Sequence, residues 1–331
     1  MSSRTLLTAG ITGVGMDFPA RRLTNADLEK MVETSESWIT ERTGILERRI
    51  VEPGVGASHH GAEAARQALA HAGLTPADVD LIIVPTVTPD MLFPATACLV
   101  QRKLSAYHAA ALDIEAACSG FIYGLEIGQH FIMAHTYDTV LVIGAEKLSS
   151  IVDWNDRNTC VLFGDGAGAA VLQNRPGSHG LLATCMGADG SKADLLSMPG
   201  GGSRCPATAD SVTARLHYLR MDGRETFKNA VNAMYTAAVE ALRRCGVDIS
   251  RIACVIPHQA NRRIIDAVTD RLGAKPEQVF INVHKFGNTS AASVAIALDD
   301  AVRSGRIQRG DLILMVVFGA GLTWGAAVIE W

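Results

Sequence analysis

The sequence lacks long hydrophobic runs, paired cysteine motifs and an excess of basic residues. Hydrophobic residues make up 48% of its 331 residues, yet no apolar run approaches the roughly 20 residues of a membrane-spanning helix. The 30 basic residues are outnumbered by 34 acidic ones, which argues against a surface that grips nucleic acid along its length. The N-terminal segment has no extended apolar stretch with a cleavage site, so we expect no signal peptide. We therefore expect neither a membrane nor a nucleic acid as a partner.

The seven cysteines are widely spaced, and no two of them form a CxxC pair. An odd number at this spacing predicts neither a disulfide framework nor a zinc site, so we expect no bound metal. Free cysteines are typical of a reducing compartment, which predicts a cytoplasmic protein. Most of these residues should be buried as small apolar side chains, while at least one is a candidate reactive thiolate.

Aromatic residues are scarce at 5%, whereas glycine numbers 31, as is typical of closely packed α/β folds. Short β-rich runs at residues 80–86, 109–114, 140–143 and 167–172 alternate with helical patterns at 57–72 and 120–134. Strands that alternate with helices predict parallel βαβ units with helices on both faces of a sheet.

The same order of elements returns later in the chain. Predicted strands at 251–257, 278–283 and 311–317 match the first three, and the tetrapeptide GAAV closes both series, at 168–171 and 325–328. We therefore predict two related halves, residues 1–176 and 177–331. If they pack about a pseudo-twofold axis, their matched turns face a common cleft at the ends of strands, where α/β folds bind ligands.

Cys118 follows a predicted strand and opens a helix of small residues. The positive end of a helix and its free N–H groups favour a thiolate, so we expect the pKa of Cys118 to lie below the ordinary value. Gly120 and Gly124 would let the backbone approach closely. The alternative is a small cysteine buried at a tight turn.

His258 ends an apolar strand, and Asn288 lies in a Gly-Asn-Thr turn. With Cys118 they form a Cys/His/Asn set on strand-to-helix turns of both halves. Two chemistries fit this set. Either His258 and Asn288 donate N–H groups to one developing oxyanion, or His258 is the base of a cysteine hydrolase and Asn288 orients it. Spacing alone does not separate them.

Two glycine-rich segments complete the candidates. The segment 318–321 (FGAG) could form an oxyanion hole with the N–H of Cys118, or be a tight hairpin connection without chemistry. The segment 163–168 (FGDGAG) fits neither a dinucleotide fingerprint nor a P-loop. We predict that Asp165 accepts hydrogen bonds from backbone amides there.

Six segments together resemble the β-ketoacyl-acyl-carrier-protein synthase III family. They are residues 37–49 (SWITERTGILERR), 115–125 (EAACSGFIYGL), 153–172 (DWNDRNTCVLFGDGAGAAVL), 257–264 (PHQANRRI), 287–293 (GNTSAAS) and 318–328 (FGAGLTWGAAV). The resemblance spans the whole chain in the right order. It implies an α/β protein with the thiolase fold, in which duplicated βαβαβαββ halves form a five-layered α-β-α-β-α core, and a homodimer.

The resemblance also implies an acyltransferase activity. An acyl-CoA primer, acetyl-CoA or another short acyl-CoA, condenses with malonyl-acyl-carrier protein to give 3-oxoacyl-acyl-carrier protein, CoA and CO2. The reaction is ping-pong through acyl-Cys118 and initiates fatty acid synthesis. No cofactor is implied, because the acyl-CoA is a substrate.

The family's site residues carry over as follows. The catalytic set is Cys118, His258 and Asn288. The CoA contacts are Trp38, Arg42, Arg157, Gly223, Asn261, Arg263 and Phe318, with the adenine between Trp38 and Arg157. The oxyanion loop is Gly319, Ala320 and Gly321. The carrier-protein contacts are Gln259, Ala260, Asn261, Arg262 and Arg263, in a basic patch with Lys228 and Arg271. Phe93 closes the acyl pocket, in the family from the partner subunit.

Three positions depart from the family pattern. Ala320 replaces a usual glycine, Phe286 replaces a tyrosine or histidine, and Asp270 stands where a lysine often contributes to carrier docking. None of them removes a catalytic group. Three other functions remain open: a specialised acyltransferase with a different acceptor, a non-catalytic partner subunit, and a cysteine hydrolase.

Overall fold

Strands and helices alternate along the chain in this computed structural model, which describes residues 8–175 and 180–331. The strands are β1 (Thr8–Asp17), β2 (Arg22–Thr24), β3 (Glu47–Arg49), β4 (Leu81–Pro85), β5 (Ala110–Ile114), β6 (Thr139–Glu146), β7 (Gly166–Arg175), β8 (Gly180–Ala188), β9 (Leu196–Ser197), β10 (Arg220–Met221), β11 (Cys254–Pro257), β12 (Leu312–Gly319) and β13 (Thr323–Glu330). The α-helices are α1 (Asn25–Leu28), α2 (Glu36–Thr43), α3 (Ala57–Ala72), α4 (Thr96–Leu104), α5 (Gly120–Met133), α6 (Arg157–Cys160), α7 (Ala209–Thr213), α8 (Gly223–Cys245), α9 (Arg262–Leu272), α10 (Val283–Phe286) and α11 (Ser293–Arg303).

One predicted strand, at residues 278–283, is wrong. Within it Val279 forms only an isolated parallel bridge with Val255, and α10 already begins at Val283. The reason is a side chain: the Oε1 atom of Gln259 accepts the N–H groups of Asn282 at 2.9 Å and of Val283 at 3.1 Å. These local bonds replace the ladder that would extend the strand.

Each of the two related halves contains one main sheet. The first has the strand order β1-β7-β6-β4-β5, and the second, counted from its own first strand, has the order β8-β13-β12-β11. In the first sheet β4 pairs in parallel with both β6 and β5, and in the second sheet β11 pairs in parallel with β12. The remaining pairs, β1 with β7, β6 with β7, β12 with β13 and β13 with β8, are antiparallel. The same order supports a duplicated unit. The boundary between residues 176 and 177 lies outside the described residues, so the division there remains a proposal.

The core is layered because each strand sends alternate side chains to opposite faces. Helices α5 and α11 lie between the two sheets and share one buried cluster with both. Helices α3 and α4 cover the outer face of the first sheet, and α8 and α9 cover the outer face of the second. The resulting sequence of layers, α-β-α-β-α, confirms the thiolase fold that the resemblance implies.

Glycines let the central layer approach the first sheet closely. A Cβ atom on Gly144 of β6 would lie 2.5 Å from the carbonyl oxygen of Ala291, and one on Gly168 of β7 would lie 2.5 Å from the Cβ atom of Ala295. Real Cβ atoms do not approach other atoms so closely, so both positions require glycine. This contact holds the start of α11, from the second half, against the sheet of the first.

A fully buried arginine anchors the segment between β1 and α3. The guanidinium of Arg48 donates to the carbonyl of Leu23 at 3.2 Å, to Oδ1 of Asn25 at 2.9 Å and to the carbonyl of Val161 at 2.8 Å. Burial lowers its pKa to about 10. Because Val161 belongs to the cavity wall described below, Arg48 connects this N-terminal segment to the site.

Within the described ranges, no helix combines the length and apolar character that crossing a membrane requires.

Candidate active site

A cavity of about 720 Å³ opens between the two halves. Cys118, His258 and Asn288 all line it, although they are far apart in the sequence. Its other lining residues come mainly from α2, from the segment 156–163, and from the starts of α8 and α9. The structure therefore brings the predicted Cys/His/Asn set into one cavity.

The nucleophile candidate lies on a strained turn. Cys118 is in a 3₁₀ turn, Ala117–Ser119, that leads into α5, and Ala117 before it has a φ of +46°. A non-glycine residue in this region costs about 1–3 kcal/mol and persists only when the surroundings hold it there. The corresponding turn of the second half, Ser290–Ala292, begins with a similar φ of +48° at Ser290. Ala291 therefore stands where Cys118 does, and the second half has no thiol at this place.

The expectation that the pKa of Cys118 lies below the ordinary value is wrong. Burial is the main cause that raises the pKa of Cys118 to about 12, and the nearby charges of Glu146 and Glu115 act in the same direction. The helix end is not sufficient, because the sulfur is almost fully enclosed. Cys118 is thus a thiol that must lose its proton when it reacts.

His258 is a neutral imidazole with one nitrogen already engaged. Its Nδ1 atom lies 2.6 Å from the Oγ atom of Ser293, the first residue of α11. Burial lowers the pKa of His258 to about 3. A neutral ring whose Nδ1 is bound to a hydroxyl keeps Nε2 for a group in the cavity.

Asn288 is fixed through its backbone and its side-chain oxygen. Its N–H donates to the Leu162 carbonyl at 2.8 Å, and its carbonyl accepts from the Gly164 N–H at 3.0 Å. Its Oδ1 atom accepts the N–H of Ser290 at 2.9 Å. The Nδ2 amide therefore remains as a donor for the cavity.

The segment 318–321 is both a hairpin and a neighbour of the nucleophile. It connects the antiparallel strands β12 and β13. A Cβ atom on Gly319 would lie 2.6 Å from the nitrogen of Cys118, so the hairpin packs directly on that amide. The hydroxyl of Thr323 donates to the carbonyls of Ala116 and Ala320, at 2.9 and 3.0 Å, and ties the hairpin to the nucleophile turn. Of the three predicted loop residues, Gly319 lines the cavity.

Most residues that the resemblance assigns to CoA line the same cavity: Trp38, Arg42, Gly223, Asn261, Arg263 and Phe318. Arg157 lies beside it, with its guanidinium carbon 5.2 Å from the centre of the Trp38 ring. The guanidinium of Arg42 lies 6.0 Å from the same ring. A purine between two stacked groups needs roughly 7 Å between them, twice an ordinary contact. Arg157 must therefore move outward before an adenine can enter there.

The predicted carrier-contact segment divides into buried and exposed residues. Arg262 and Arg263 are exposed, Arg262 pairs with Asp266, and Arg263 lies over the ring of Phe227. The predicted carrier-protein contact of Gln259 is wrong. Gln259 is 1% exposed, and its amide nitrogen donates to the carbonyl of Pro257 at 2.7 Å. Gln259 shapes the interior and cannot touch a carrier protein directly.

Phe93 lies away from the cavity lining of its own chain. It belongs to an apolar loop between β4 and α4, in which Leu92 and Phe93 are each 84% exposed and Met91 is 47% exposed. Side chains of this kind usually contact another surface.

Sequence analysis missed three residues around the site. The hydroxyl of Ser293 lies 2.6 Å from the Nδ1 atom of His258, and Ser290 and Glu146 are neighbours of Cys118. The two serines fall within a segment that carries the resemblance, but nothing in their spacing reveals which side chain they meet. The prediction for Asp165 is confirmed, since its carboxylate accepts the N–H groups of Val51 and Ser149 at 2.7 and 2.8 Å. In the described part of the chain, no cluster of three or more histidine, cysteine or carboxylate side chains could hold a metal ion.

Known proteins share this sequence and fold. The profile of the 3-oxoacyl-(acyl-carrier-protein) synthase III family matches residues 112–190, and the profile of that family's C-terminal part matches residues 242–331. A β-ketoacyl-acyl-carrier-protein synthase III from Caldanaerobacter subterraneus subsp. tengcongensis is 56% identical over 325 residues, which cover 98% of this chain and 98% of that protein.

The chain is also similar to solved structures. The chain resembles the crystal structure of 3-oxoacyl-acyl-carrier-protein synthase III from Aquifex aeolicus VF5 with a TM-score of 0.91 and 49% identity, covering 98% of this chain and 100% of that one. It also resembles the priming β-ketosynthase of the R1128 polyketide biosynthetic pathway, with a TM-score of 0.92 and 35% identity, covering 99% of this chain and 98% of that one.

The fold and the cysteine site define a condensing acyltransferase of the thiolase fold. Within that class, the chain belongs to the β-ketoacyl-acyl-carrier-protein synthase III family, whose members carry out the initiating condensation of fatty acid synthesis.

Proposed function

We propose that this chain condenses an acyl-CoA primer with malonyl-acyl-carrier protein, through an acyl group on Cys118. The observation that carries the proposal is the meeting of Cys118, a neutral His258 and the Asn288 amide in one cavity. A neutral imidazole with Nε2 available and an amide nitrogen are two donors, which suits stabilisation of an oxyanion better than proton abstraction. This favours the first of the two chemistries that spacing left open.

In the first half-reaction, the sulfur of Cys118 attacks the thioester carbonyl of the acyl-CoA. A new carbon–sulfur bond forms, and the bond to the CoA sulfur breaks. The N–H of Cys118 and the hairpin that packs on it at Gly319 are the proposed site for the oxyanion. CoA leaves and the acyl group stays on Cys118.

In the second half-reaction, the thioester carbonyl of malonyl-acyl-carrier protein accepts hydrogen bonds from His258 and Asn288. Loss of CO2 leaves an enolate whose negative oxygen these two donors stabilise. Its carbon attacks the acyl carbonyl, and the sulfur of Cys118 leaves. Removal of one such donor should cost on the order of 10²–10³ in rate.

Trp38, Arg42 and Arg157 are the proposed contacts of the CoA nucleotide. Indole and guanidinium groups bind a purine by stacking and cation–π attraction. The guanidinium carbon of Arg157 lies 5.2 Å from the centre of the Trp38 ring, and an adenine bound between them would take the place of this contact. Gly223, Asn261, Arg263 and Phe318 are the proposed contacts along the rest of the CoA molecule.

An acidic carrier protein is the proposed partner of the exposed arginines at the start of α9. Arg262 and Arg263, with Lys228 on the neighbouring helix α8, give this rim a positive charge that attracts such a partner. Ala260 and Asn261 line the cavity next to them, and Arg271, which stacks on Tyr235 at 4.1 Å, extends the patch.

A homodimer is proposed from the exposed loop that carries Phe93. Leu92 and Phe93 expose most of their apolar surface, which a second copy of the chain would cover. In the family arrangement, Phe93 then closes the acyl pocket of the partner subunit. The reaction balances without a cofactor, and the seven free cysteines support a cytoplasmic location.

A specialised pathway is the second candidate, because the priming β-ketosynthase of a polyketide pathway shares the fold at 35% identity. The chemistry at Cys118 would be the same, and the primer or acceptor would differ. Retention of Cys118 argues against a non-catalytic partner subunit.

The test is intact-protein mass after mixing with a panel of acyl-CoAs and then with malonyl-acyl-carrier protein, with Cys118→Ala as the control. We expect one acyl adduct that requires Cys118, disappears with malonyl-acyl-carrier protein and yields 3-oxoacyl-acyl-carrier protein. An adduct that clears only with another nucleophile would favour the specialised acyltransferase. Absence of any adduct would contradict the proposal.

A further inference from the structure

The peptide unit before the nucleophile is hydrogen-bonded by two side chains that have no part in the reaction above. This unit joins Ala116 to Ala117, directly before Cys118. Its N–H group donates to the Oε1 atom of Glu115 at 2.9 Å. Its carbonyl oxygen accepts from the hydroxyl of Thr323, also at 2.9 Å. Because the C=O and N–H groups of a peptide unit lie in one rigid plane, two partners on its opposite sides fix the orientation of that plane.

The turn that contains the nucleophile depends on this plane. Ala117 has a φ of +46°, in the left-handed region that residues other than glycine rarely occupy. The φ angle is the rotation about the bond from the nitrogen of the same peptide unit, so a fixed plane restrains it. The carbonyl of Ala116 also accepts the N–H of Ser119 at 3.1 Å, which closes the turn around Cys118. The direction of the Cys118 N–H group therefore follows from the orientation of the peptide unit before it.

Thr323 belongs to the hairpin that packs on the nucleophile. In the antiparallel pair of β12 and β13 it lies opposite Gly319, the residue that packs on the amide of Cys118. The hairpin thus contacts the turn at two places, the Cys118 amide and the Ala116 carbonyl. The hydroxyl of Thr323 is also 3.0 Å from the carbonyl of Ala320, so its single proton is shared between the turn and the hairpin loop. One side chain therefore sets the position of the turn relative to the hairpin.

The bond from Glu115 has a counterpart in the second half. The corresponding turn there has a φ of +48° at Ser290, and the Oδ1 atom of Asn288, two residues earlier, accepts the Ser290 N–H at 2.9 Å. Glu115 precedes Ala117 by the same two residues and accepts its N–H at the same distance. In both halves, a side chain two residues before the left-handed residue thus stabilises the turn.

The bond from Thr323 has no such counterpart. The carbonyl of Thr289 corresponds to that of Ala116, and it accepts the N–H of Ala292 at 3.0 Å. Within residues 8–175 and 180–331, no side chain donates to the Thr289 carbonyl. Because the second half forms its turn without this bond, formation of the turn alone does not explain it. The additional bond occurs in the half that carries the thiol.

An oxyanion site acts through donors that already face the place where the charge develops. In the proposed function, the N–H of Cys118 is one of these donors, and the hairpin completes the site. We propose that Thr323 and Glu115 are positioning residues for acyl transfer, an inference that rests on the proposed function. Together they orient the peptide unit before Cys118 so that its N–H group and the hairpin face one oxygen atom. Neither side chain lines the cavity, so their effect passes through the backbone.

The two side chains should matter only for particular steps. Negative charge develops on the acyl oxygen twice in each turnover, when Cys118 attacks the acyl-CoA and when the enolate attacks the acyl group on Cys118. Both steps use the oxyanion site at the nucleophile turn. Decarboxylation of malonyl-acyl-carrier protein instead places its charge between His258 and Asn288. A loss confined to acyl transfer therefore distinguishes positioning of the turn from a general disturbance of the cavity.

The first experiment is a rapid-quench measurement of acylation by intact mass, over a range of concentrations of an acyl-CoA that the wild-type protein accepts. Thr323→Val removes the hydroxyl at nearly constant volume, and Thr323→Ser is its control because it keeps the hydroxyl. Glu115→Ala removes the acceptor, and Glu115→Gln is its control because it keeps an oxygen atom there. The second experiment combines Thr323→Val or Glu115→Ala with Cys118→Ala and measures release of CO2 from malonyl-acyl-carrier protein.

We expect Thr323→Val and Glu115→Ala to lower the maximal acylation rate by roughly 10–10²-fold, because a misdirected donor loses much of its effect. The acyl-CoA concentration that gives half the maximal rate should stay close to the wild-type value, since the oxyanion forms only as the reaction proceeds. Thr323→Ser and Glu115→Gln should restore most of the wild-type rate. In the Cys118→Ala protein, neither Thr323→Val nor Glu115→Ala should change the rate of CO2 release.

Acylation at the wild-type rate by Thr323→Val or by Glu115→Ala would overturn the positioning role of that residue and leave the proposed function intact. Equal losses in acylation and in CO2 release would also overturn it, because they would show that the whole cavity is disturbed. A wild-type protein that forms no adduct at all would instead contradict the proposed function. Should Thr323→Val fail to fold, Glu115→Ala decides the question by the same readouts, because Glu115 is exposed.

Discussion

The Nδ1 atom of His258 and the Oγ atom of Ser293 lie 2.6 Å apart in the buried wall of the cavity. Ser293 begins α11 in the central layer, while His258 follows β11 of the second sheet. The histidine tautomer decides which of these two groups donates. Donation from the Ser293 hydroxyl to Nδ1 goes with a ring proton on Nε2, which is the tautomer that a hydrogen-bond donor to an enolate needs. Ser293 is therefore a positioning residue for the second half-reaction.

Replacement Ser293→Ala should slow condensation by roughly 10–10²-fold, because a misplaced or wrongly protonated donor loses much of its effect. Acylation of Cys118 should stay close to the wild-type rate, since the ring takes no part in it. Single-turnover rates of the two half-reactions separate the effects. Ser293→Thr, which keeps the hydroxyl, is the control and should restore condensation. Equal losses in both half-reactions would contradict this role.

The pH dependence of decarboxylation tests the neutral state of His258. Its pKa is lowered to about 3, so the imidazole gains a proton only below that value and stays neutral across the physiological range. Decarboxylation of malonyl-acyl-carrier protein by Cys118→Ala, which removes the thiol from the titration, should therefore be flat between pH 5.5 and 8. An inflection near the ordinary histidine value of about 6.5 would show that His258 titrates as an ordinary base.

Gly319→Ala should block acylation. The new Cβ atom would lie 2.6 Å from the Cys118 nitrogen, and that atom belongs to the backbone and cannot turn aside. Displacement of the amide should cost on the order of 10²-fold or more in acylation rate, as expected when an oxyanion donor is lost. Ala320→Gly, one residue further along, restores the residue usual in the family and should leave the rate unchanged. Normal acylation by Gly319→Ala would show that the hairpin is not part of the oxyanion site.

Arg48 should be required for stability. Replacement Arg48→Met leaves the Leu23 and Val161 carbonyls and the Asn25 oxygen without their buried donor. We expect a loss of about 3 kcal/mol or more in the free energy of unfolding, measured by urea denaturation. Arg22→Met is the control, because Arg22 pairs with Glu47 at the surface with its side chain 60% exposed, and such a pair contributes about 0–1 kcal/mol. Similar losses in both variants would contradict the assignment.

The fold was largely predictable from the sequence, since it depends on patterns that each segment carries by itself. The helix predicted at 57–72 coincides with α3, and the strands predicted at 80–86 and 109–114 correspond to β4 and β5. The strand predicted at 278–283 failed because the side chain of Gln259, some twenty residues earlier, accepts the N–H groups of Asn282 and Val283 at the end of the segment. Such a competitor is invisible in a local pattern.

The site was predictable in its residues and less so in its electrostatics. Cys118, His258 and Asn288 could be selected because the matched turns of two related halves face a common cleft. The pKa of Cys118 could not be predicted, because it depends on enclosure by Gly319 and Ser290, which the chain brings in from the other half. Side-chain partnerships between segments far apart in the sequence, such as Ser293 with His258, need the packed structure.

The most direct test of the central assignment is the intact mass of His258→Ala after an acyl-CoA and then malonyl-acyl-carrier protein are added. If His258 acts only in the second half-reaction, the variant should acquire one acyl group on Cys118 at nearly the wild-type rate and then keep it. Failure to acquire the acyl group would mean that His258 activates Cys118. Loss of the adduct at the wild-type rate would mean that His258 has no part in condensation.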